Sequence, residues 1–305
     1  MKGNKINISK KKNVNNVAYI FLIPFIIVFL VFNVYPVLRT LQLSFTDYKG
    51  YGDALFVGLS NYKRAITDKF FLRSVINTFR IWIPNIVLQL GMALLLTVIF
   101  SDIKYRMKGL GVFRALFYLP NLIAATSVAF LFRTLLDWRF GTINQILMGS
   151  GISSQPIDWL GSPNTAPYAV AVISAWMWFG NSFIVLMAGV QGISQEYFEA
   201  ARIDGAGRWQ MFTSITMPLL KPILLYVTIT SLIGGIQMFD IPFLISDGTN
   251  GSPGGILQTS MMYVYKFGFE AFQVGYASAA SYLIFLLILV LSLLQFRMYR
   301  KGGEI

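Results

Sequence analysis

Asp240 stands with Gln237 and Phe239 near the end of a long apolar run, just past Gly234-Gly235. Trp178, Asn181 and Ser182, with Trp176 close by, interrupt a second such run, and Asn85, Gln89, Tyr118 and Asn121 interrupt two more. A charge in hydrocarbon costs roughly 2.5 to 3.5 kcal/mol or more unless it is paired or hydrated, so an ionisable group there is a functional candidate by default. The chemistry these residue types offer is noncovalent. Amides and a carboxylate can hydrogen-bond hydroxyl groups, and aromatic faces can support an apolar ring surface. A helix break at Gly234-Gly235 would open backbone to a water-filled cavity beside them. For each residue alone, a hydrogen bond between helices or an aromatic at the membrane boundary accounts for it equally well. Arg80 and Arg133 lie near span ends, where a long side chain can carry its charge to the interface.

Covalent chemistry has few tools in this chain. Its 305 residues include no His and no Cys, which removes disulfides, thiol nucleophiles, histidine bases and the usual zinc sites. No catalytic residue, metal site or cofactor is expected. No G-x-x-x-x-G-K-[ST] loop occurs, so ATP has no usual binding site here. Gly205-Ala206-Gly207 opens a dinucleotide fingerprint, but Gln210 stands where its last glycine would be and no strand precedes it. Asn250-Gly251-Ser252 matches a glycosylation acceptor, a pattern short enough to arise often by chance.

One polar segment, Glu196 to Gly205 and on to Pro218, is set between two strongly apolar spans. Ser194 suits a helix cap, Glu196 suits the positive end of the helix dipole, and Gly205 suits a left-handed stop. Trp209, Phe212 and Ile215 recur at spacings of three, as on the apolar stripe of a second short helix that Pro218 should interrupt. Ala200 and Ala201 would let another protein approach the helix closely while Glu199 seeks a cation. The segment resembles the E-A-A-x3-G-x9-I-x-L-P loop of the permease subunits of binding-protein-dependent ABC importers. Glu199, Ala200, Ala201, Gly205, Ile215 and Pro218 hold the matching positions, with Met217 for the usual Leu, a volume-conserving change. Val57-Gly58-Leu59-Ser60-Asn61-Tyr62, Asn77-Thr78 and Gly275-Tyr276-Ala277 are similar to the sugar-transporting branch.

The resemblance implies a type I importer permease whose residues 193–217 form a cytoplasmic coupling loop against an ABC ATPase dimer. It also implies a second homologous permease, expected to make a heterodimer, and an extracytoplasmic solute-binding protein. ATP hydrolysis then belongs to a separate subunit, and the chain itself is not an enzyme. On that reading Gln237, Phe239, Asp240, Asn181, Ser182, Trp178, Asn85, Gln89 and Asn121 become candidates for the path of a sugar. The alternative is a secondary, ion-coupled transporter, but the midplane carboxylates and inverted repeats it calls for are not evident. A membrane enzyme is disfavoured by the missing His and Cys.

The elements that would position these groups follow from composition. A chain 55% hydrophobic and 12% charged, with mean hydropathy +0.61, belongs among lipids. A net charge of +12 would suggest nucleic acid for a soluble protein. Here the cations cluster at span ends, which reads as topology, and no nucleic acid is expected. The expected fold is all-α and integral to the membrane, with six spans at about 17–37, 77–100, 115–136, 166–190, 222–245 and 277–296. Residues 1–16 read as a disordered cytoplasmic tail and 299–305 as a second tail on the same side, in a multi-pass protein of the plasma or inner membrane. The first run is long enough to cross about 30 Å of hydrocarbon and lacks a cleavage site, so it reads as an uncleaved span. Lys104, Arg106, Lys108 and Arg114 mark the inner side most clearly. The basic residues between Arg39 and Arg73 count against this orientation, although they are spread among aspartates over a longer, partly folded loop.

Overall fold

A computed structural model describes residues 9–100 and 109–301, with side chains described within 19–100 and 109–300. Part of the expected N-terminal tail, most of the basic connection (101–108) and residues 302–305 lie outside the described residues. Among the described residues the protein is all-α, with one isolated bridge between Thr46 and Phe56. Five helical stretches are long and apolar enough to cross a membrane, and a bent pair makes a sixth.

The first stretch is α1 (Ser9–Phe29), which passes through a wide π turn, Leu30–Val34, into α2 (Tyr35–Ser44). Residues 9–16, expected to be disordered, are therefore helical. Lysine is a good helix former, and extending an existing helix needs no new nucleus. A short α3 (Ser60–Thr67) leads to Asp68, whose Oδ1 accepts from the amide of Phe70 at 2.7 Å and so caps α4 (Lys69–Phe100). This span starts eight residues before the expected Asn77.

The expected third span is two helices, α5 (Leu110–Leu122) and α6 (Ala125–Leu135), at 89° to each other. Pro120 cannot donate to its helix, and the extended residues Ile123 and Ala124 turn the chain. A short α7 (Thr142–Gly149) precedes α8 (Ala166–Gln191). Then come α9 (Gln195–Ile203), α10 (Arg208–Met211), a π turn at Phe212–Thr216 and α11 (Met217–Leu219). The fifth span is α12 (Lys221–Ile236) and α13 (Asp240–Ile245). Finally α14 (Ser260–Tyr265) runs into a π turn, Lys266–Glu270, before α15 (Val274–Lys301).

Helix α8 is the axis, packed along α4 and α5 and touching α12 and α13. Two-thirds of its apolar window is buried, against none for the first span. Gly180 explains the closeness to α5, since a Cβ there would lie 1.8 Å from the carbonyl oxygen of Phe117. Helix α4 is amphipathic in the inverted sense that lipid demands. Ser74, Asn77, Thr78, Asn85, Gln89 and Thr97 are buried with Phe71, Ile81 and Ala93 at spacings of three and four, while Leu72, Ile76, Val87, Leu95 and Ile99 are exposed. In hydrocarbon it is the polar groups that gain by facing other helices.

Two networks tie the loops at the Ala166 end of α8. Asp68 Oδ2 accepts from the hydroxyls of Tyr263 at 2.6 Å and Tyr276 at 3.2 Å. Burial pulls the Asp68 carboxyl up, but the Tyr263 hydroxyl, the amides of Phe70 and Phe71 and the Tyr276 hydroxyl together hold it below its ordinary value. Arg133 binds both oxygens of Asp247, and this bond holds the Asp247 carboxyl low as well.

Candidate functional site

The fifth span unwinds between Ile236 and Asp240, and that break forms one wall of a polar cavity. Gly234-Gly235, expected to cause the break, lies inside intact helix. A Cβ at Gly235 would fall 1.8 Å from Trp82 Cδ1, and the Trp82 indole donates to the Ser231 carbonyl at 2.9 Å. The glycine therefore admits an indole from α4. The actual break is held open by partners for its backbone. Thr259 Oγ1 donates to the Met238 carbonyl at 2.7 Å, and Ser260 Oγ donates to the Ile236 carbonyl at 3.1 Å. The Ser260 amide donates in turn to Thr78 Oγ1 at 2.9 Å. Unwound backbone at membrane depth needs such partners or a wet cavity.

The cavity holds about 600 Å³ between α4, α8, α12 and the break. Asn85 and Gln89 reach it from α4, and Trp178, Asn181 and Ser182 from α8, while Gln237, Phe239 and Asp240 come from the break itself. Gln89 Nε2 donates to Ser182 Oγ at 2.7 Å, and Asn85 Nδ2 to the Ala171 carbonyl at 3.4 Å. These bonds bridge α4 and α8 and leave the amide oxygens of both residues able to accept. Trp178 presents a half-exposed indole. Ser174, also in the lining, has a buried hydroxyl without a hydrogen-bond partner. Among the described residues Asp240 is the only charged side chain in the lining.

Asn121 stays out of the cavity, as does Tyr118, since α5 ends in the sharp bend just past Asn121, and Trp176 packs instead against Phe132. Sequence reasoning missed Ser174, Tyr226, Thr230 and Ser231, which also line it. A signal was present. Tyr226, Thr230 and Gly234 repeat every four residues on α12, and Ser174, Trp178, Asn181, Ser182 and Val185 keep helical spacing on α8, so each set marks one face.

The second candidate region lies at the Gln191 end of α8, about 39 Å along the helix from Ala166. Ser194 caps α9, its hydroxyl accepting from the Glu196 amide at 3.4 Å, and Gly205 has φ +78°. Phe198 and Phe212 are buried. Glu199 and Ala200 are exposed, Ala201 half-buried, and Tyr197, Ile203 and Trp209 also face outward. Two expectations fail here. Trp209 is not on the buried stripe with Phe212 and Ile215, and Pro218 does not interrupt the helix. The π turn at Phe212–Thr216 rotates the stripe and sets Pro218 in the first turn of α11, where its missing N–H costs nothing.

Comparison with known proteins places these features in context. Residues 50–301 match the family model described as binding-protein-dependent transport system inner membrane component. The lactose transport system permease protein LacF of Rhizobium radiobacter is 35% identical, with 93% of this chain and 94% of that protein covered. The arabinooligosaccharides transport system permease protein AraP of Bacillus subtilis (strain 168) is 31% identical, with 92% and 87% covered. Among solved structures, a chain of the bacterial alginate ABC transporter in complex with alginate pentasaccharide-bound periplasmic protein is 25% identical. It superposes with a TM-score of 0.80 over 97% of this chain and 98% of its own.

Proposed function

The chain belongs to the family of binding-protein-dependent transport system inner membrane components, and from that premise we infer that it is one permease subunit of an ATP-driven importer for an uncharged sugar or oligosaccharide. The family consists of transport permeases, not enzymes, and the chain is a multi-pass membrane protein of that kind. The observation that carries the finer reading is the cavity beside the broken fifth span. Its amides, hydroxyls and indole suit a polyhydroxylated ring, and a single carboxylate without a cation nearby suits a neutral one. The relatives named for lactose and arabinooligosaccharides support the same class of solute. The ion-coupled alternative finds no support in the family match.

On this reading the α9 loop, with Glu199, Ala200, Ala201, Gly205, Ile215 and Pro218, docks on an ABC ATPase. Closure of the ATPase dimer tilts the spans from inward-facing to outward-facing while an external binding protein delivers the sugar. ATP can drive that change only as far as the ATPase dimer binds one state better than the other. Asp240→Ala tests the cavity in the assembled transporter. Uptake should fall at least tenfold with ATPase association unchanged, because Asp240 is at the far end of the fifth span from the docking loop. Unaltered uptake kinetics would remove Asp240 from the path. The same reading puts the α9 loop inside the cell and the loop after α13 outside. A cysteine at Asn250 should then react with an impermeant thiol reagent in intact cells, and one at Arg208 should not; the opposite pattern would invert the topology.

A further inference from the structure

A second cavity, of about 360 Å³, opens between α6, α7 and the start of α8 and shares no residue with the polar one. Phe132, Leu136, Ile143, Trp159, Tyr168 and Val172 wall it, and the atoms facing it are nearly all carbon. Tyr168 and Val172 are half exposed, so the cavity opens on the flank of the bundle. On α7 and its flanks Phe140, Ile146 and Ile152 are strongly exposed as well. So much apolar surface around one hole would be costly in water but is at ease in a bilayer. Trp138 and Trp159 at this end of the spans fit the aromatic belt of a membrane boundary.

Arg80 stands at the rim. Its guanidinium lies 5.8 Å from the centre of the Tyr168 ring, and Nη2 donates to the Pro163 carbonyl at 3.3 Å, beside Asn164 and Thr165 of the lining. Among the described residues no carboxylate pairs with it. We propose that this cavity holds one acyl chain of an anionic phospholipid, whose phosphate is taken by Arg80. The two halves of the site match the two halves of such a molecule: a carbon-lined slot open to the hydrocarbon, and an unneutralised guanidinium at the depth where headgroups begin. Cation and aromatic ring together also fix the guanidinium, so little freedom remains to be lost on binding. The bound chain would wedge α6 and α7 against α8. A segment of a second permease could fill the slot but would have no reason to bring a negative charge. The site does not depend on which solute is carried.

The test uses the assembled transporter, exchanged into nanodiscs of equal parts phosphatidylglycerol and phosphatidylcholine, re-extracted in mild detergent and weighed by native mass spectrometry. Wild type should retain phosphatidylglycerol preferentially. Arg80→Gln should lower that retention about fivefold, the effect of one cation near a lipid surface, and Arg80→Lys should recover part of it. Val172→Trp, filling the slot from its open side, should remove the retained lipid whatever its headgroup. Equal retention of both lipids by wild type and Arg80→Gln would overturn the headgroup assignment. Unchanged retention in Val172→Trp would overturn the slot, and a wild-type transporter that retains neither lipid would overturn the site.

Discussion

Gly235 shows how much of this site rests on one missing methyl group. Its Cβ would overlap the Trp82 indole, a rigid ring held by its hydrogen bond to Ser231, so neither side can yield cheaply. Gly235→Ala should destabilise the protein by about 1–3 kcal/mol, read as a lowered melting temperature of the purified complex. Trp82→Ala in the same chain should recover part of the loss; if Gly235→Ala melts like wild type, the packing is not as described. The sequence announced that something happens near Gly234-Gly235, but a glycine that breaks a helix and a glycine that admits a neighbour look alike along one chain. Only the partner on α4 tells them apart. The polar residues were legible for a firmer reason, since Asn85, Gln89, Trp178, Asn181, Ser182, Gln237 and Asp240 have no solvent to explain them in apolar runs. Asn121 met the same criterion but lies outside the cavity lining, next to a bend after α5 that could not be read.

At the scale of elements, hydrophobic length made the spans visible, and capping made α9 visible down to Ser194 and Gly205. What stayed hidden were departures from a straight helix. The π turn in the loop and the 89° bend between α5 and α6 went unread, and the break of the fifth span, read at Gly234-Gly235, falls after Ile236, where partners remote in sequence, Thr259 and Ser260, hold the freed carbonyls. The α9 loop carries its own prediction. Glu199 stands exposed, so Glu199→Lys should leave folding and membrane insertion intact. It should lower co-purification of the ATPase at least tenfold, because a charge reversal at a docked contact adds repulsion to the lost pair. Normal co-purification with normal uptake would end the docking role.

For the whole molecule, the proposed function makes one bundle with one exposed α9 loop half of a device whose motor would close two lobes. The first span points the same way, with residues 19–33 exposed along an apolar surface that lipid or a companion subunit must cover. Expressed with its ATPase alone, the chain should give an unstable assembly without uptake, and adding a homologous second permease should restore both. A transport-competent complex containing only this permease would sink the heterodimer. The hydroxyls at the break in the fifth span bear on how such a machine could move at all. Thr259 and Ser260, at the start of α14, hold the carbonyls of Met238 and Ile236 through single-bond hydroxyls, and Thr259 Oγ1 also accepts from the Met262 amide. A joint built this way can let go and re-engage by rotating one side-chain bond per residue, and the polar cavity that Met238 lines can hydrate the freed carbonyl. Its friction would then be set by rotamer exchange, far faster than any ATP cycle.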